Sequence, residues 1–345
     1  MDKQRPIPFL LRVDVLLISL CLTISYLLYV YYGSAAEGIS APPVIEQPLA
    51  AAPAPAEQGA EDDAPHAPVK TAPTVRFLMY NVHDYFVDKD PKRSRHARKT
   101  KPVAQREAVA GVIASVRPEV VGLVEIGGPA ALEDLAARLT ARGLSYPYRR
   151  VLARWGEDRA LGILSRHPIV ADHSVENCTL IGNSSRKMLR GILDVSIQPE
   201  GDKRVFRIIG VHLKSRVSED AQSADALRAR EARTVAAHIS SILTRNPQAA
   251  LLVYGDWNDG PKSAALNTFT GSCLGGIHRL SPQDANGETW TIYYKDGQEY
   301  NVFDQIYVSS ALKKSMGRKS EQGVVSQPGG AAQPSDHRAV WCDMR

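Results

Sequence analysis

The chain has 345 residues, of which 44% are hydrophobic and 23% charged, a composition typical of a folded protein. Its formal net charge of +5 permits a polyanionic partner without requiring one, and an aromatic content of 7% argues against an extended base-stacking surface. None of the four cysteines forms a C-x-x-C pair, which argues against a cysteine zinc site and a disulfide framework. Two alternatives remain for Cys178, Cys273 and Cys342: one disulfide bridge among them, or free buried thiols.

The first strong signal is an uncharged apolar run near the N-terminus. Residues 15–32 read VLLISLCLTISYLLYVYY and follow the basic residues Lys3, Arg5 and Arg12. An apolar run of about 18 residues is long enough to cross a bilayer as a helix. We therefore predict a single-pass transmembrane signal anchor in residues 1–33, with its basic end cytoplasmic and the remaining chain extracytoplasmic. The small residues that follow leave cleavage open, which would give a secreted protein.

The next segment, residues 34–74, has a composition that disfavours folding. It holds eight prolines, twelve alanines and six acidic residues against one lysine. Such a sequence buries too little apolar surface to form a core, so we predict a disordered, partly extended linker. No internal repeat or second linker follows, so residues 75–345 are predicted to form one catalytic domain, with no obligate protein partner evident.

Strand-like and helix-like stretches alternate through this domain. Short apolar or alternating runs predict strands over 75–82, 120–126, 160–166, 190–197, 204–213, 251–256, 301–309 and 338–344. Amphipathic runs predict helices over 103–116, 131–143 and 224–243. Because several strands follow one another without a helix between them, we predict an α/β fold with mixed sheets rather than a parallel doubly wound sheet.

Polar side chains concentrate where the predicted strands begin or end. In chain order they are Asn81, Glu125, His212, Asp256, Asn258, Asp304, Asp336 and His337. Side chains two residues apart on an extended chain face the same side, so Asp256 and Asn258 of LLVYGDWNDG can point into one site. Turn formation and core hydrogen bonding are the ordinary alternatives for each residue alone. Strand-end loops gather on one face of α/β proteins, so the joint pattern predicts a shared site.

This ordered set of residues resembles the endonuclease/exonuclease/phosphatase superfamily, which includes deoxyribonuclease I, AP endonucleases, neutral sphingomyelinases and inositol polyphosphate phosphatases. The similarity spans about 75–345, and its motifs are G-D-W-N at 255–258 and S-D-H at 335–337. The resemblance implies a four-layer α/β sandwich of two mixed β-sheets flanked by helices. It also implies a metal-dependent phosphoric ester hydrolase.

Phosphodiester chemistry is consistent with these residue types. A phosphodiester is an anion that repels hydroxide, so its hydrolysis near neutral pH needs charge neutralisation, an activated water and help for the leaving oxygen. Glu125, supported by Asn81 and Asp336, offers the hard oxygen ligands that suit Mg²⁺ or Mn²⁺. His337 with Asp304 makes a carboxylate-oriented imidazole, which fixes a tautomer and stabilises an imidazolium.

The remaining roles follow from the resemblance. Asp256 would orient or deprotonate the attacking water, and Asn258 and His212 would hydrogen-bond the phosphoryl oxygens. Arg190 occupies the place of a family arginine that binds substrate near the phosphate, with a surface strand-end charge as the alternative. Asp259 is expected to be a bystander.

Two positions depart from the family pattern. AP endonucleases carry Asp two residues after the motif Asn, where this chain has His83 followed by Asp84. This departure argues against a second metal ligand at that position and against abasic-site repair. The usual Phe of G-D-F-N is Trp257, a conservative change for a residue that packs beneath the site.

Two basic stretches bear on the substrate. Residues 89–101 contain seven Lys or Arg against one Asp, and a predicted helix carries Arg228, Arg230 and Arg233 in a pattern that resembles secreted bacterial nucleases. Such a cluster can hold nucleic-acid phosphates, although a solvated loop or a contact with acidic lipid head groups are alternatives. We expect a nuclease acting on DNA or RNA. The alternative hypotheses are a phosphodiesterase that acts on phospholipids or inositol phosphates, and a non-catalytic binding module.

Overall fold

The computed structural model describes residues 74–87, 99–154, 157–216, 220–274, 276–294, 297–317, 320–327, 329 and 333–345. The predicted membrane anchor, nearly all of the predicted linker and most of the basic stretch 89–101 lie outside these ranges. Of the helices in the described part of the chain, none is both long and apolar enough to cross a membrane.

The described chain forms strands and helices in an alternating order. The strands are β1 (Val75–Tyr85), β2 (Val120–Ile126), β3 (Tyr148–Leu152), β4 (Ala160–Ser165), β5 (Ile169–Asp172), β6 (Thr179–Leu180), β7 (Asn183–Lys187), β8 (Leu193–Ile197), β9 (Phe206–His212), β10 (Ala250–Asp256), β11 (Ile277–Arg279), β12 (Ile292–Tyr294), β13 (Glu299–Asn301), β14 (Asp304–Ser309), β15 (Gln322–Val324) and β16 (Val340–Met344). The helices are α1 (Val103–Val116), α2 (Pro129–Thr140), α3 (Ala221–Arg245), α4 (Ala264–Ser272) and α5 (Ser310–Met316).

Two mixed six-stranded sheets organise these elements. The first has the strand order β15-β16-β1-β2-β4-β3, and the second has the order β11-β14-β10-β9-β8-β5. Within them β1 runs parallel to β2, and β9 runs parallel to β10. In contrast, β16 is antiparallel to β1 and β14 is antiparallel to β10. The predicted α/β fold with two mixed sheets is therefore confirmed.

The first hydrophobic cluster draws its residues from both sheets and joins them. Tyr254 of β10 crosses between the sheets: its ring centroid lies 5.3 Å from that of Phe77, and its hydroxyl donates to the carbonyl of Gly162 at 2.8 Å. A Cβ atom at Gly122 would lie 2.6 Å from this ring, and one at Gly210 would lie 2.6 Å from its hydroxyl. The absence of a side chain at both glycines is what admits the tyrosine, which holds the two sheets in register.

Two further clusters pack helices on the sheets. Helices α1 and α2 bury their apolar residues against the first sheet, and α3 and α4 bury theirs against the second. Trp257, fully buried just beyond β10, packs its ring against Phe269 at a centroid distance of 4.5 Å and against Tyr307 at 5.1 Å. The tryptophan of the G-D-W-N motif therefore anchors the loop that carries the motif to the helical side of the second sheet.

Several predicted boundaries differ from the observed ones for local reasons. Helix α3 begins earlier than predicted because the Asp220 carboxylate accepts the backbone N–H of Ser223 and caps it. The predicted strand 301–309 is wrong at its start, since Asn301 belongs to β13 and β14 begins at Asp304. Cys178, Cys273 and Cys342 are free thiols, so the bridge left open by the sequence is not formed.

Candidate active site

The candidate site lies at one edge where both sheets meet. Asn81, Glu125, His212 and Asp256 lie at or near the carboxyl ends of β1, β2, β9 and β10. Asp304 begins β14 and His337 precedes β16, and both of those strands run antiparallel to their neighbours. The start of an antiparallel strand lies at the same edge as the end of its partner. Strand direction therefore brings together side chains that are far apart in sequence.

His337 and Asp304 form a tight buried pair. Nδ1 of His337 lies 2.6 Å from Oδ2 of Asp304. Burial by itself lowers the pKa of His337, but the negative charges of Asp304 and Asp336 outweigh burial and raise it well above its ordinary value. The hydroxyl of Ser335 accepts the backbone N–H of His337 at 3.0 Å. The imidazole is thus held in place and kept protonated at neutral pH.

Asp256 occupies the centre of the site and is fully buried. Its Oδ2 accepts a hydrogen bond from Nδ2 of Asn81 at 3.0 Å and lies 3.8 Å from Nε2 of His337. Its Oδ1 accepts the backbone N–H of Asn258 at 2.8 Å. Burial raises the pKa of Asp256 to about 7, against the opposing charge of His337 and with added repulsion from Asp304. A carboxyl group with this pKa exchanges its proton near neutral pH.

Glu125, His212 and Asp256 make the group best suited to a metal ion. Each offers one ligand atom, and the three atoms lie within 4.8 Å of one another. Burial, followed by the positive charges of Arg190 and Arg159, lowers the pKa of His212 well below its ordinary value, so its imidazole is neutral. Its Nδ1 is buried with no hydrogen-bond partner in the described structure. Two hard carboxylates and a neutral imidazole fit a divalent cation.

A second acidic group contains Asp256, Asp304 and His337. It is a poor metal site because His337 is protonated and its Nδ1 is already bound to Asp304 at 2.6 Å. This trio therefore forms a hydrogen-bonded acid–base unit, separate in chemistry from the Glu125 group although the two groups share Asp256.

Backbone irregularities aim the residues of the site. Among the described residues, six non-glycine residues have a positive φ, and four of them lie here: His83 at 45°, Asp84 at 50°, Glu125 at 64° and Asn258 at 51°. The β1–β2 register shifts beyond Asn81, and the β2–β4 register shifts across Glu125. Bulges of this kind bend a strand and redirect a side chain, and they are frequent beside active sites.

Asn81 contacts the Glu125 group through Asp256, whereas the closest contacts of Asp336 are with two histidines. Oδ1 of Asp336 pairs with Nδ1 of His83 at 2.9 Å and lies 3.9 Å from Nε2 of His337. Burial alone raises the pKa of Asp336, but the charges of His337 and His83 lower it below its ordinary value. The Asn81 side chain donates to Asp256 and accepts the backbone N–H of His83 at 3.0 Å. Glu125, His212 and Asp256 offer ligand atoms within 4.8 Å of one another, and the ligand roles of Asn81 and Asp336 stay predictions.

Arg190 is buried beside the site rather than exposed at a strand end. Its Nη1 donates to the carbonyl of Leu213 at 3.2 Å, and its Nε lies 3.5 Å from Oε2 of Glu157. That Nε has no hydrogen-bond partner in the described structure. The carbonyl of Leu213 also accepts Nδ2 of Asn258 at 3.0 Å. A buried guanidinium N–H near Asn258 that makes no hydrogen bond can donate to a phosphoryl oxygen.

Arg159 is a site residue that no motif in the sequence reveals. Its Nε lies 2.6 Å from Oδ1 of Asp84 and 3.2 Å from Oε2 of Glu125. The backbone N–H of Asp84 also donates to that Oε2 at 3.1 Å. These contacts leave Oε1 of Glu125 directed toward His212, at 3.8 Å from Nε2. The only sequence signal for Arg159 is its charge immediately before β4.

Helix α3 supports the loops of the site from behind. The buried carboxylate of Glu231 accepts the backbone N–H of Leu189 at 3.2 Å and that of Lys214 at 2.7 Å, thereby joining the segments that carry Arg190 and His212. Burial raises the pKa of Glu231. No periodicity in the sequence marks this residue as different from the other charged positions of α3.

Arg228, one of the three arginines of the predicted basic helix, is buried in a network of ion pairs and hydrogen bonds. Arg228 is 1% exposed, and its Nε donates to Oδ2 of Asp259 at 3.1 Å. Arg228 also pairs with Asp225 and donates to the carbonyl of Lys214. Asp259 is therefore the partner of a structural arginine, as expected for a bystander in the chemistry. Lys101, the last basic residue of the stretch 89–101, is buried and donates to the carbonyl of His83 at 2.8 Å.

Comparisons with known proteins agree with this architecture. The sequence profile of the endonuclease/exonuclease/phosphatase family matches residues 85–328, well over half of the chain. Among curated proteins, no sequence matches this chain.

Solved structures share the fold at low sequence identity. The human Nocturnin catalytic domain with bound sulfate has a TM-score of 0.57 at 15% identity, covering 79% of this chain and 94% of that one. Beta toxin of Staphylococcus aureus has a TM-score of 0.57 at 14% sequence identity, and the match covers 78% of this chain and 99% of the toxin chain. D. rerio TDP2 complexed with a single-strand DNA product has a TM-score of 0.53 at 16% sequence identity, and the match covers 79% of this chain and 99% of the TDP2 chain. The chain belongs to the endonuclease/exonuclease/phosphatase family and is a phosphoric ester hydrolase of that family.

Proposed function

We propose that this hydrolase is a divalent-metal-dependent nuclease that cleaves phosphodiester bonds of DNA or RNA. The observation that carries the proposal is the buried His337–Asp304 pair facing Asp256, with Nε2 of His337 3.8 Å from Oδ2 of Asp256. This places a protonated imidazole opposite a carboxyl group that titrates near neutral pH, the acid and base that phosphodiester hydrolysis requires.

Mg²⁺ or Mn²⁺ is the proposed cofactor, which Glu125 would hold beside Nε2 of His212, while Asp256 acts on the attacking water. The mutual repulsion of the buried carboxylates favours a cation at this position, where Nε2 of the neutral His212 lies 3.8 Å from both Oε1 of Glu125 and Oδ2 of Asp256. When bound, the ion supplies charge neutralisation for the phosphate and the leaving oxygen.

The side chains of the chain divide the remaining work. Asp256 takes a proton from the attacking water, and the donors Asn81 and Asn258 fix the orientation of its carboxylate. The His337 imidazolium donates to a phosphoryl oxygen and offsets the charge that develops there, while Asp304 stabilises the imidazolium. Arg190, whose Nε makes no hydrogen bond and lies 3.5 Å from Oε2 of Glu157, binds a second phosphoryl oxygen.

Nucleic acid is favoured over lipid by two considerations. The D. rerio TDP2 relative was solved with a single-strand DNA product, which shows that this fold accommodates such a ligand in a related protein. The sequence also places seven basic residues in the stretch 89–101, close in the chain to Asn81. A phospholipid or inositol phosphate is the second candidate substrate, favoured by the predicted membrane anchor in residues 1–33.

The substrate test compares three substrate classes on the full chain in detergent. We expect cleavage of plasmid DNA, single-stranded DNA or RNA with Mg²⁺ or Mn²⁺, and loss of cleavage with EDTA or in His337→Ala. Ser185→Ala, an exposed change on β7, is the matched control. Hydrolysis of sphingomyelin or a phosphoinositide without any nucleic-acid cleavage would replace the proposal with the second candidate.

We further propose that residues 1–33 anchor the enzyme in a membrane with its catalytic domain extracytoplasmic. The support is the uncharged run 15–32 preceded by basic residues. The full chain is expected to resist carbonate extraction from membranes and to be digested by protease added to intact cells. A soluble full chain, or one protected from the protease, would contradict the anchor or its orientation respectively; a soluble chain lacking the N-terminal segment would indicate cleavage.

A further inference from the structure

A series of side chains in mutual contact leads from Arg338, the residue after His337, to the protein surface. The guanidinium of Arg338 lies 4.1 Å from the ring centroid of Trp290. The Trp290 ring lies 5.0 Å from that of Tyr300, which lies 4.7 Å from that of Tyr293. We call Trp290, Tyr300 and Tyr293 the aromatic ladder. Its inner end is next to Arg338, which is 3% exposed, whereas Tyr300 is 63% exposed and Tyr293 is 37% exposed.

The aromatic ladder is joined rigidly to the catalytic pair. Ile292 of β12 forms an antiparallel bridge with His337. The backbone N–H of Arg338 donates to the carbonyl of Thr291 at 2.6 Å. The hydroxyl of the same threonine accepts the backbone N–H of Asp304 at 3.0 Å. The β12–β13 hairpin therefore has a fixed position relative to both His337 and Asp304.

Hairpin stability alone does not account for the ladder. Tyr293 and Tyr300 are directly opposite across β12 and β13, and such a pair adds about 0.2–1 kcal/mol to a two-stranded hairpin. That contribution needs the two rings to touch each other, but it gives no reason for Tyr300 to keep more than half of its surface in water. Clustered exposed aromatics beside a catalytic site are typical of a binding surface.

We propose that the aromatic ladder is a stacking platform for the unpaired bases next to the phosphodiester being cleaved. The proposal rests on the proposed function and deepens it, because it assigns single-stranded nucleic acid as the substrate class. Flat aromatic rings stack on any base, so the platform gives affinity without sequence preference. An overall aromatic content of 7% is compatible with it, since three of the few aromatics lie together here.

The charges around the ladder fit this occupant. Arg216, whose side chain is half exposed, lies with its guanidinium 5.7 Å from the ring centroid of Phe303, the neighbour of Asp304. Its Nη2 lies 4.0 Å from Oδ1 of Asp259, and its exposed half can meet a backbone phosphate. Asp284 pairs with Arg338 at 2.5 Å, and Glu288, which accepts Nε1–H of Trp290 at 2.8 Å, lies 3.8 Å from Nη1 of the same arginine. Glu299 is opposite Tyr294 in the hairpin, on the face away from Tyr293 and Tyr300.

The test measures binding separately from cleavage. The full chain in detergent, with EDTA present, is titrated into a fluorescent single-stranded oligonucleotide and into an oligonucleotide of equal length whose residues are abasic. Tyr293→Ala/Tyr300→Ala should weaken binding of the ordinary oligonucleotide about 10-fold or more. The abasic oligonucleotide should bind the wild type weakly, and the double variant should weaken it no further.

Two controls keep the comparison specific. Tyr293→Phe/Tyr300→Phe retains both rings and should restore wild-type binding. Tyr148→Ala removes a tyrosine of 39% exposure from β3, where it pairs with Ser165 at the sheet edge opposite to the active site, and should change nothing.

Several outcomes would overturn the platform. One is equal binding of the two oligonucleotides by the wild type, and another is an equal loss for both in the double alanine variant. A wild type that cleaves nucleic acid, combined with a double variant of unchanged affinity, overturns the platform but not the nuclease. A variant that loses binding to phosphatidylcholine–phosphatidylserine vesicles, with oligonucleotide affinity unchanged, assigns the ladder to lipid. A wild type that neither binds nor cleaves nucleic acid overturns both proposals.

Discussion

Nδ1 of His337 and Oδ2 of Asp304 lie 2.6 Å apart although they belong to different sheets. His337 precedes β16 of the first sheet, and Asp304 begins β14 of the second. The hydrogen bond between them therefore forms only when the two sheets pack in the observed register. Tyr254, which crosses between the sheets, helps to fix that register. Catalytic geometry in this protein depends on core packing several residues away from the chemistry.

The first prediction concerns this pair. Asp304→Asn keeps the shape of the side chain but removes the charge that keeps His337 protonated and oriented. We expect kcat to fall by about 10²–10⁴-fold, with KM changed far less. Steady-state kinetics on a cleavable nucleic acid measures both constants. Asp172→Asn, at the far end of β5, is the matched control, and an Asp304→Asn enzyme of near-normal kcat would remove His337 from the proposed chemistry.

The second prediction concerns the metal. Glu125→Gln replaces a hard anionic ligand with a neutral amide of the same size and leaves Arg159 near an uncharged group. We expect the affinity for Mg²⁺ or Mn²⁺ measured by calorimetry to fall by about 10–100-fold or more. Glu133→Gln, on the exposed surface of α2, should bind as the wild type does. Undiminished binding by the Glu125 variant would place the ion elsewhere.

The third prediction concerns Glu231 as a positioning residue. Glu231→Gln leaves one accepting oxygen and turns an amide nitrogen toward a backbone N–H of Leu189 or Lys214. We expect the free energy of unfolding to fall by about 1–3 kcal/mol. Displacement of the loops that carry Arg190 and His212 should also lower kcat/KM about 10-fold.

Two measurements separate these effects for Glu231. Thermal or denaturant unfolding gives the stability change, and kinetics well below the melting temperature gives the activity change. Arg245→Gln removes a charge from the exposed end of the same helix and should alter neither. A loss of stability without any loss of kcat/KM would limit Glu231 to a structural role.

The fourth prediction concerns acid sensitivity away from the site. Asp194 is fully buried and pairs with Arg207 and with His238, each at 2.7 Å. Burial alone raises the pKa of Asp194, but the hydrogen bonds from His238 and Arg207 lower it below the ordinary 3.8. A carboxyl group whose pKa is lower in the folded than in the unfolded state stabilises the folded protein fully when the pH is above its unfolded-state pKa. That stabilisation is lost as the pH falls through the pKa that the group has in the folded state.

Asp194→Asn should therefore destabilise the protein by about 3 kcal/mol at pH 7, because Arg207 and His238 lose their partner. Measured by denaturant unfolding from pH 7 down to about pH 3, the difference between variant and wild type should shrink below about pH 4. A difference that stays constant over this range would show that the charge of Asp194 is not what stabilises the fold.

The parts of the structure that follow from local pattern were predictable from the sequence. Helix 103–116 and strand 120–126 are observed as predicted. The helix has apolar residues spaced along one face, and the strand is a short apolar run that is buried throughout. The gathering of Asp256, Asp304 and His337 follows from strand direction. The parts that depend on contacts between distant segments were not predictable in this way.

Three features show why those parts were missed. The β12–β13 hairpin has three-residue strands without a long apolar run, so no periodicity reveals it. Arg159 pairs with Asp84 and Glu125, which lie at the register shifts of β1 and β2. The carboxylate of Glu231 accepts hydrogen bonds from two backbone N–H groups that belong to separate loops. In each case the decisive partner is set by tertiary packing and leaves no local signal.

The positive φ angles at His83, Asp84, Glu125 and Asn258 have an evolutionary consequence. Each non-glycine residue held in such a conformation costs about 1–3 kcal/mol, so the edge that carries the chemistry is also where the fold tolerates its greatest backbone strain. A glycine at Asn258 would relax the backbone and remove an amide from the site at the same time. Selection for stability and selection for catalysis therefore oppose each other at these positions, and a lineage released from catalysis would be expected to drift toward glycine there first.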